Sequence, residues 1–216
     1  PTGCESVTAT MALQYAGVSI TVDDFIDQYL DRSGFPFDPN LTFGGNPRST
    51  SGYGCYAPVI KKALDKILAN KKYEAEVLYQ VPLETLCAQY IDHDIPVILW
   101  ATMGMRPSRT KTWDFDGRRI TWVQPEHCLL LVGYDDNHYI FNDPQSSQPL
   151  TYYSKTSVEA AYKAQSCQAV VIRRGSTPSK PEIDIAELAR IDRKAMVNTY
   201  YYSSHYNSTY TDLGDI

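Results

Sequence analysis

The chain has 216 residues, enough for one medium domain with a substantial core, or a domain with a tail. Hydrophobic residues make up 43% and charged residues 21%, an ordinary globular balance. A net charge of −5 with scattered Lys and Arg argues against nucleic acid as a partner, since phosphate binding needs a basic face. No apolar stretch approaches the ~20 residues a membrane-spanning helix requires. The chain begins at Pro1 without an initiator Met or a signal-peptide pattern, as a fragment or processed form would.

Thr2-Gly3-Cys4-Glu5 has the form of a capping box, with Thr2 capping a helix and Glu5 reaching back to it. The helix is predicted through Val7, Met11 and Tyr15, stopping at Gly17. A second helix starts at Thr21 and runs through Phe25, Ile26, Tyr29 and Leu30, with Asp23 and Asp24 suiting the dipole of its first turn. Ser33 to Gly54 mixes prolines, glycines and aromatics and reads as a long, packed, functional loop. A third helix is expected from Pro58 to about Asn70.

Tyr73 to Tyr79 alternates as a strand does, Pro82 to about Asp92 reads as a helix, and Pro96 to Trp100 is a continuous apolar strand. Thr112 to Val123 forms a hairpin about Asp116-Gly117. Cys128 to Val132 is apolar on both faces and therefore central in its sheet, with Tyr139 to Phe141 pairing beside it. A helix from about Ser157 to Ala164 and a strand from Gln168 to Ile172 close the domain. Helices first and an antiparallel sheet second imply an α+β domain over residues 1–174. Residues 175–216 then read as a linker, a short helix at Ile183 to Val197 and a tyrosine-rich tail able to contact a second copy of the chain.

The five cysteines are dispersed, with no C-x-x-C pair, and no H-E-x-x-H exists, so neither a metal nor a cofactor is expected. Cys87, Cys128 and Cys167 lie in apolar patterns and read as small hydrophobes. Cys4 differs. It sits in a first helical turn, where free backbone N–H groups and the helix dipole favour a thiolate and can hold an oxyanion. His127, entering the most apolar strand, is the candidate base, and Asp143 at the end of the partner strand is the candidate orienting group. A three-residue turn at Asp135 to Asn137 puts Asp143 on the His127 face of the sheet. A four-residue turn puts Asn142 there, and a bulge would exchange the two.

Three segments carry a family resemblance: Pro1-Thr2-Gly3-Cys4-Glu5-Ser6-Val7, Glu126-His127-Cys128-Leu129-Leu130-Leu131-Val132-Gly133-Tyr134-Asp135, and Asn142-Asp143-Pro144. Together they resemble the double-glycine (bacteriocin-processing) peptidases, and more closely their stand-alone relatives. Phe43-Gly44-Gly45-Asn46-Pro47 and Gly52 to Pro58 resemble the same branch. Over residues 1–172 the resemblance implies a papain-like fold, a Cys4/His127/Asp143 triad and hydrolysis of a peptide or amide bond. It implies export by a Gram-positive bacterium. The family's oxyanion glutamine precedes the cysteine, upstream of Pro1, which leaves the backbone of Cys4 as the oxyanion donor.

The sequence thus predicts a thiol hydrolase acting on a peptide or protein. The other readings are a papain-like module that binds peptide or cell wall without cutting, and an acyltransferase using the same pair. Phe35, Phe37, Phe43, Tyr53 and Trp122 are candidate cleft walls.

Overall fold

The computed structural model describes residues 2–175. The linker beyond Gly175, the expected helix at Ile183 to Val197 and the tyrosine-rich tail lie outside them. Helix α1 (Cys4–Tyr15) is buried from Glu5 to Leu13, so its polar residues need partners inside the protein. Thr10 Oγ1 donates to the Ser6 carbonyl at 2.8 Å, and Thr8 Oγ1 to the Cys128 carbonyl at 3.0 Å. The expected capping box is absent. Gly3 is the N-cap and makes no side-chain cap bond, Thr2 Oγ1 donates to the Ser49 carbonyl, and Glu5 turns inward. The helix ends where Gly17 takes a φ of +80°.

Thr21 caps a short turn α2 (Val22–Asp24), its hydroxyl accepting from Asp24 N–H at 3.0 Å, and a π-helical turn over Phe25–Tyr29 continues it. Strands β1 (Arg32–Ser33) and β2 (Phe43–Gly44) form a small parallel pair within the long loop. Helix α3 (Ala57–Leu68) buries an apolar face from Ala57 to Leu68. Next come β3 (Tyr73–Tyr79), α4 (Leu83–Gln89) and β4 (Val97–Thr102). The hairpin of β5 (Arg109–Phe115) and β6 (Arg118–Gln124) follows. The chain closes with β7 (Glu126–Tyr134), β8 (His138–Asn142), β9 (Thr151–Ser154), α5 (Lys155–Ala164) and β10 (Gln168–Arg174). Strand β9 was not anticipated. Its burial alternates only weakly, and it pairs at the sheet's edge.

Six strands make one antiparallel sheet in the order β3-β10-β4-β7-β8-β9. Helices cover both faces, which is why β4 and β7 are nearly continuous runs of apolar residues. Ile98, Trp100, Cys128 and Leu130 pack with α1 and α3, while Val97, Leu99, Leu129 and Leu131 pack with α4 and α5. The β5–β6 hairpin leaves the sheet and packs Trp113, Ile120 and Trp122 on Phe37 of the loop. Trp113 Nε1 donates to the Phe37 carbonyl at 2.6 Å. Gly44 lies against the Phe37 ring so closely that a Cβ there would fall 2.2 Å from it.

The segment entering α3 is pinned from two sides. Trp100 Nε1 donates to the Cys55 carbonyl at 2.8 Å, and Ala57 N–H donates to Gln168 Oε1 at 2.9 Å. Trp100→Phe keeps an aromatic ring but leaves a cavity and strands a buried carbonyl, a loss of at least about 1–3 kcal/mol. Urea unfolding of the variant tests this. An unchanged midpoint would show that the bond is dispensable.

Candidate active site

The start of α1 is wrapped by the loop at residues 46–49. Thr2 N–H is shared between the Pro47 and Ser49 carbonyls at 3.0 and 3.1 Å, and a Cβ on Gly3 would press 3.2 Å from Pro47. Cys4 follows as the first helical residue. Its thiol donates to Glu5 Oε2 at 3.3 Å, and Glu5 Oε1 accepts Cys55 N–H at 2.6 Å. Glu5 is therefore a bridge between the helix start and the Gly54–Cys55 segment.

His127 lies one residue inside the entry of β7, 1% exposed. Its Nε2 is 2.7 Å from Asp143 Oδ1, and its Nδ1 is buried without a hydrogen-bond partner. Asp143 is itself held, with Gln145 N–H on Oδ1 at 2.9 Å and Tyr153 hydroxyl on Oδ2 at 3.0 Å. The register combines both turn geometries. Tyr134 pairs with Tyr139 across a four-residue turn, but a bulge between Leu131 and Gly133 shifts the pairing, so that Leu130 faces Asn142. Asp143 thus reaches the His127 ring, while Asn142 Nδ2 donates to the Pro149 carbonyl at 2.9 Å.

The electrostatics overturn the expected low-pKa thiol. Burial pushes Cys4 well up, the charges of Glu5 and Glu126 and nearby Cys128 add to it, and only the Cys128 backbone opposes them. The residue keeps some exposed surface, but the charge of its sulfur is governed by these inward neighbours. Burial raises Glu5 from 4.5 to about 7, against hydrogen bonds from its own N–H and that of Cys55. Glu126 rises well above its ordinary value, through burial first and then the Glu5 charge. Burial alone would raise Asp143 too. Hydrogen bonding and charge from His127, then Gln145 N–H and Tyr153, outweigh it and hold the carboxyl below 3.8. Tyr153 is pushed up to about 12, by burial and then by Asp143.

The structure brings His127 and Asp143 into contact and sets Cys4 beside the Cys128 backbone, with no hydrogen bond from Cys4 to His127. Three of the proposed cleft walls are interior instead. Phe43 has no exposed surface and belongs to the main core. Trp122 is 1% exposed and stacks on Tyr56 at 5.0 Å. Phe37 is likewise enclosed. The exposed edge of this aromatic cluster is Phe35, which stacks on the part-buried Tyr53 at 5.7 Å. Glu126, Gly54 and Tyr153 were not singled out from the sequence. A carboxylate at the mouth of an apolar strand was the available signal for Glu126, whereas the other two depend on tertiary placement. A cavity of about 520 Å³, lined by Tyr15, Tyr73, His93 and Arg174, lies at the opposite end of α1 from Cys4.

Comparison with known proteins bears on this geometry. Residues 1–170 match the Peptidase_C39 like family. The chain belongs to that family. YvpB of Bacillus subtilis (strain 168), named as uncharacterized, is 29% identical over 181 residues, covering 80% of this chain and 69% of YvpB. A Bacillus anthracis crystal structure, named as that of a C39-like peptidase, superposes with a TM-score of 0.73 at 26% identity, covering 82% of this chain and 90% of the other. The fold is the α+β papain-like fold of C39-like proteins, and neither relative's name gives a particular substrate. Among the described residues, no helix is long and apolar enough to cross a membrane.

The depressed Asp143 carboxyl carries a pH signature. Its folded pKa lies below its unfolded one, so its contribution to stability is full above about pH 4 and is lost as pH falls through the folded value. The stability gap between the parent and Asp143→Asn should therefore narrow on acidification below pH 4, measured by urea unfolding at each pH. A gap that stays constant would contradict the depressed carboxyl.

Proposed function

We propose that the protein is a cysteine peptidase or amidase that cleaves a peptide or amide bond through a thioester on Cys4. The observation that carries this reading is the His127 ring, tied through Nε2 to an ionised Asp143. With the ring proton on Nε2, the Nδ1 lone pair is left as the base. That nitrogen is buried and unpartnered, and the residue after His127 approaches the Cys4 sulfur.

At rest the thiol is protonated and bonded to Glu5. Rotation about the Cys4 side chain frees the sulfur to meet His127 Nδ1, which takes the proton as the thiolate attacks the carbonyl carbon. The backbone N–H at the start of α1 stabilises the oxyanion. Protonated His127 then gives its proton to the leaving amine. The same nitrogen deprotonates the water that resolves the thioester, releasing the acid and restoring the thiol. Asp143 holds the tautomer throughout, and Tyr153 and Gln145 hold Asp143. The family resemblance extends this reading to a protein exported by a Gram-positive bacterium, acting at or outside the cell surface.

A second reading has one observation in its favour. A protonated, inward-bonded thiol suits a papain-like module that binds a peptide without cutting it. Incubation with a peptide library, read by mass spectrometry of new termini, separates the two. Cys4→Ala should lose at least roughly 10³-fold in turnover and Asp143→Ala roughly 10²-fold, with Asn142→Ala costing far less. Cleavage that survives Cys4→Ala, or greater damage at Asn142 than at Asp143, would sink the assignment.

A further inference from the structure

Glu5 and Glu126 are a feature the mechanism leaves unused. Both are buried, at 0% and 8% exposure, and among the described residues neither makes an ion pair with Lys, Arg or His. Buried carboxyls without a cation are costly, because each charge loses its hydration with no opposite charge to replace it. The cost is sharpest at Glu126, whose Oε1 is enclosed and has no hydrogen-bond partner.

The two side chains converge. One oxygen from each lies within 4.8 Å of the other and of Cys4 Sγ. Gly54 keeps the space between them open at a φ of +132°. A Cβ there would fall 2.6 Å from Glu5 Oε1 and 2.8 Å from Glu126 Oε2. Glu5 is already oriented, since Cys55 N–H holds Oε1 and leaves Oε2 facing the sulfur at 3.3 Å.

We propose that Cys4 Sγ, Glu5 Oε2 and a carboxylate oxygen of Glu126 form a three-ligand site for a divalent transition cation, zinc above all, that caps the Cys4 thiol. A thiolate in the set selects zinc over magnesium or calcium, and two carboxylates complete the three protein ligands of an open zinc site. Coordination displaces to solvent the thiol proton and any proton the two raised carboxyls hold, and the dication offsets the negative charges so formed. A sulfur with a lone pair held by the cation is a poorer nucleophile than the free thiolate, so loss of the cation would expose the nucleophile. The claim concerns the thiol itself and stands whether or not Cys4 performs hydrolysis. The sequence held no spacing signal for such a site, because Glu126 is far along the chain from Cys4 and Glu5.

The test uses the full chain, stripped with a chelator and titrated with Zn²⁺, while iodoacetamide labelling of Cys4 is followed by site-resolved mass spectrometry. The expected result is one equivalent bound with a Kd at or below about 10 μM. Cys4 labelling should slow at least ~10-fold at saturation and recover with EDTA. Glu126→Gln should weaken binding at least ~10-fold. Should that variant not fold, Co²⁺ decides the question. A thiolate-to-cobalt charge-transfer band should appear in the parent and be absent in Cys4→Ser. No stoichiometric binding at about 100 μM Zn²⁺, labelling that is indifferent to the bound cation, or a parent without the cobalt band would overturn the proposal.

Discussion

The buried hydrogen bond from Thr8 Oγ1 to the Cys128 carbonyl fixes the site. Residues four apart share a helix face, so the turn that docks Thr8 on β7 also aims Cys4 at the entry of that strand. Glu126, His127 and Cys128 come from that entry in succession. The helix start and the strand mouth, distant in sequence, are thereby held in one place by elements buried on both sides. Losing such a bond would leave a carbonyl unsatisfied in the core, at about 1–3 kcal/mol, and would also release the geometry around the sulfur.

Burial at this junction has two consequences of opposite sense. It locks His127 and Asp143 into a short contact, with Gln145 N–H and the Tyr153 hydroxyl also donating to the acid. It also places a thiol and two carboxyls together with little solvent, so burial raises all three, and the Glu5 charge further disfavours ionisation of Cys4 and Glu126. The helix dipole at Cys4 acts in the other direction and is outweighed, because desolvation and nearby carboxylates exceed a partial charge at a helix end. The resting Cys4 is therefore a protected thiol, and under the proposed mechanism its activation accompanies a rearrangement of its hydrogen bond to Glu5.

Much of this was legible in the sequence because it rests on local pattern. The apolar runs at Val97 and Cys128 announced strands covered on both faces, and the Gly17 stop and the Asp116-Gly117 turn marked element ends. The misreadings share a cause, in that tertiary partners outcompeted local ones. Glu5 had the spacing of a capping residue but is bonded to Cys55 and Cys4. Phe43 looked like a loop aromatic but fills the main core. The choice between Asn142 and Asp143 hung on a bulge between Leu131 and Gly133, which no hydrophobic pattern encodes when both faces are apolar. The carboxyl pair was invisible because its members come from separate elements that meet only across Gly54.

The account centres on Cys4 and His127 acting as one unit, and a covalent trap examines that directly. The protein would be inactivated with a peptidyl chloromethyl ketone and its crystal structure determined. The account predicts a single adduct on Cys4 Sγ, with the sulfur turned away from Glu5 and His127 Nδ1 within hydrogen-bond reach of the bound inhibitor. An adduct on Cys55, Cys87, Cys128 or Cys167, or one on Cys4 with His127 Nδ1 out of hydrogen-bond reach of the inhibitor, would contradict the account.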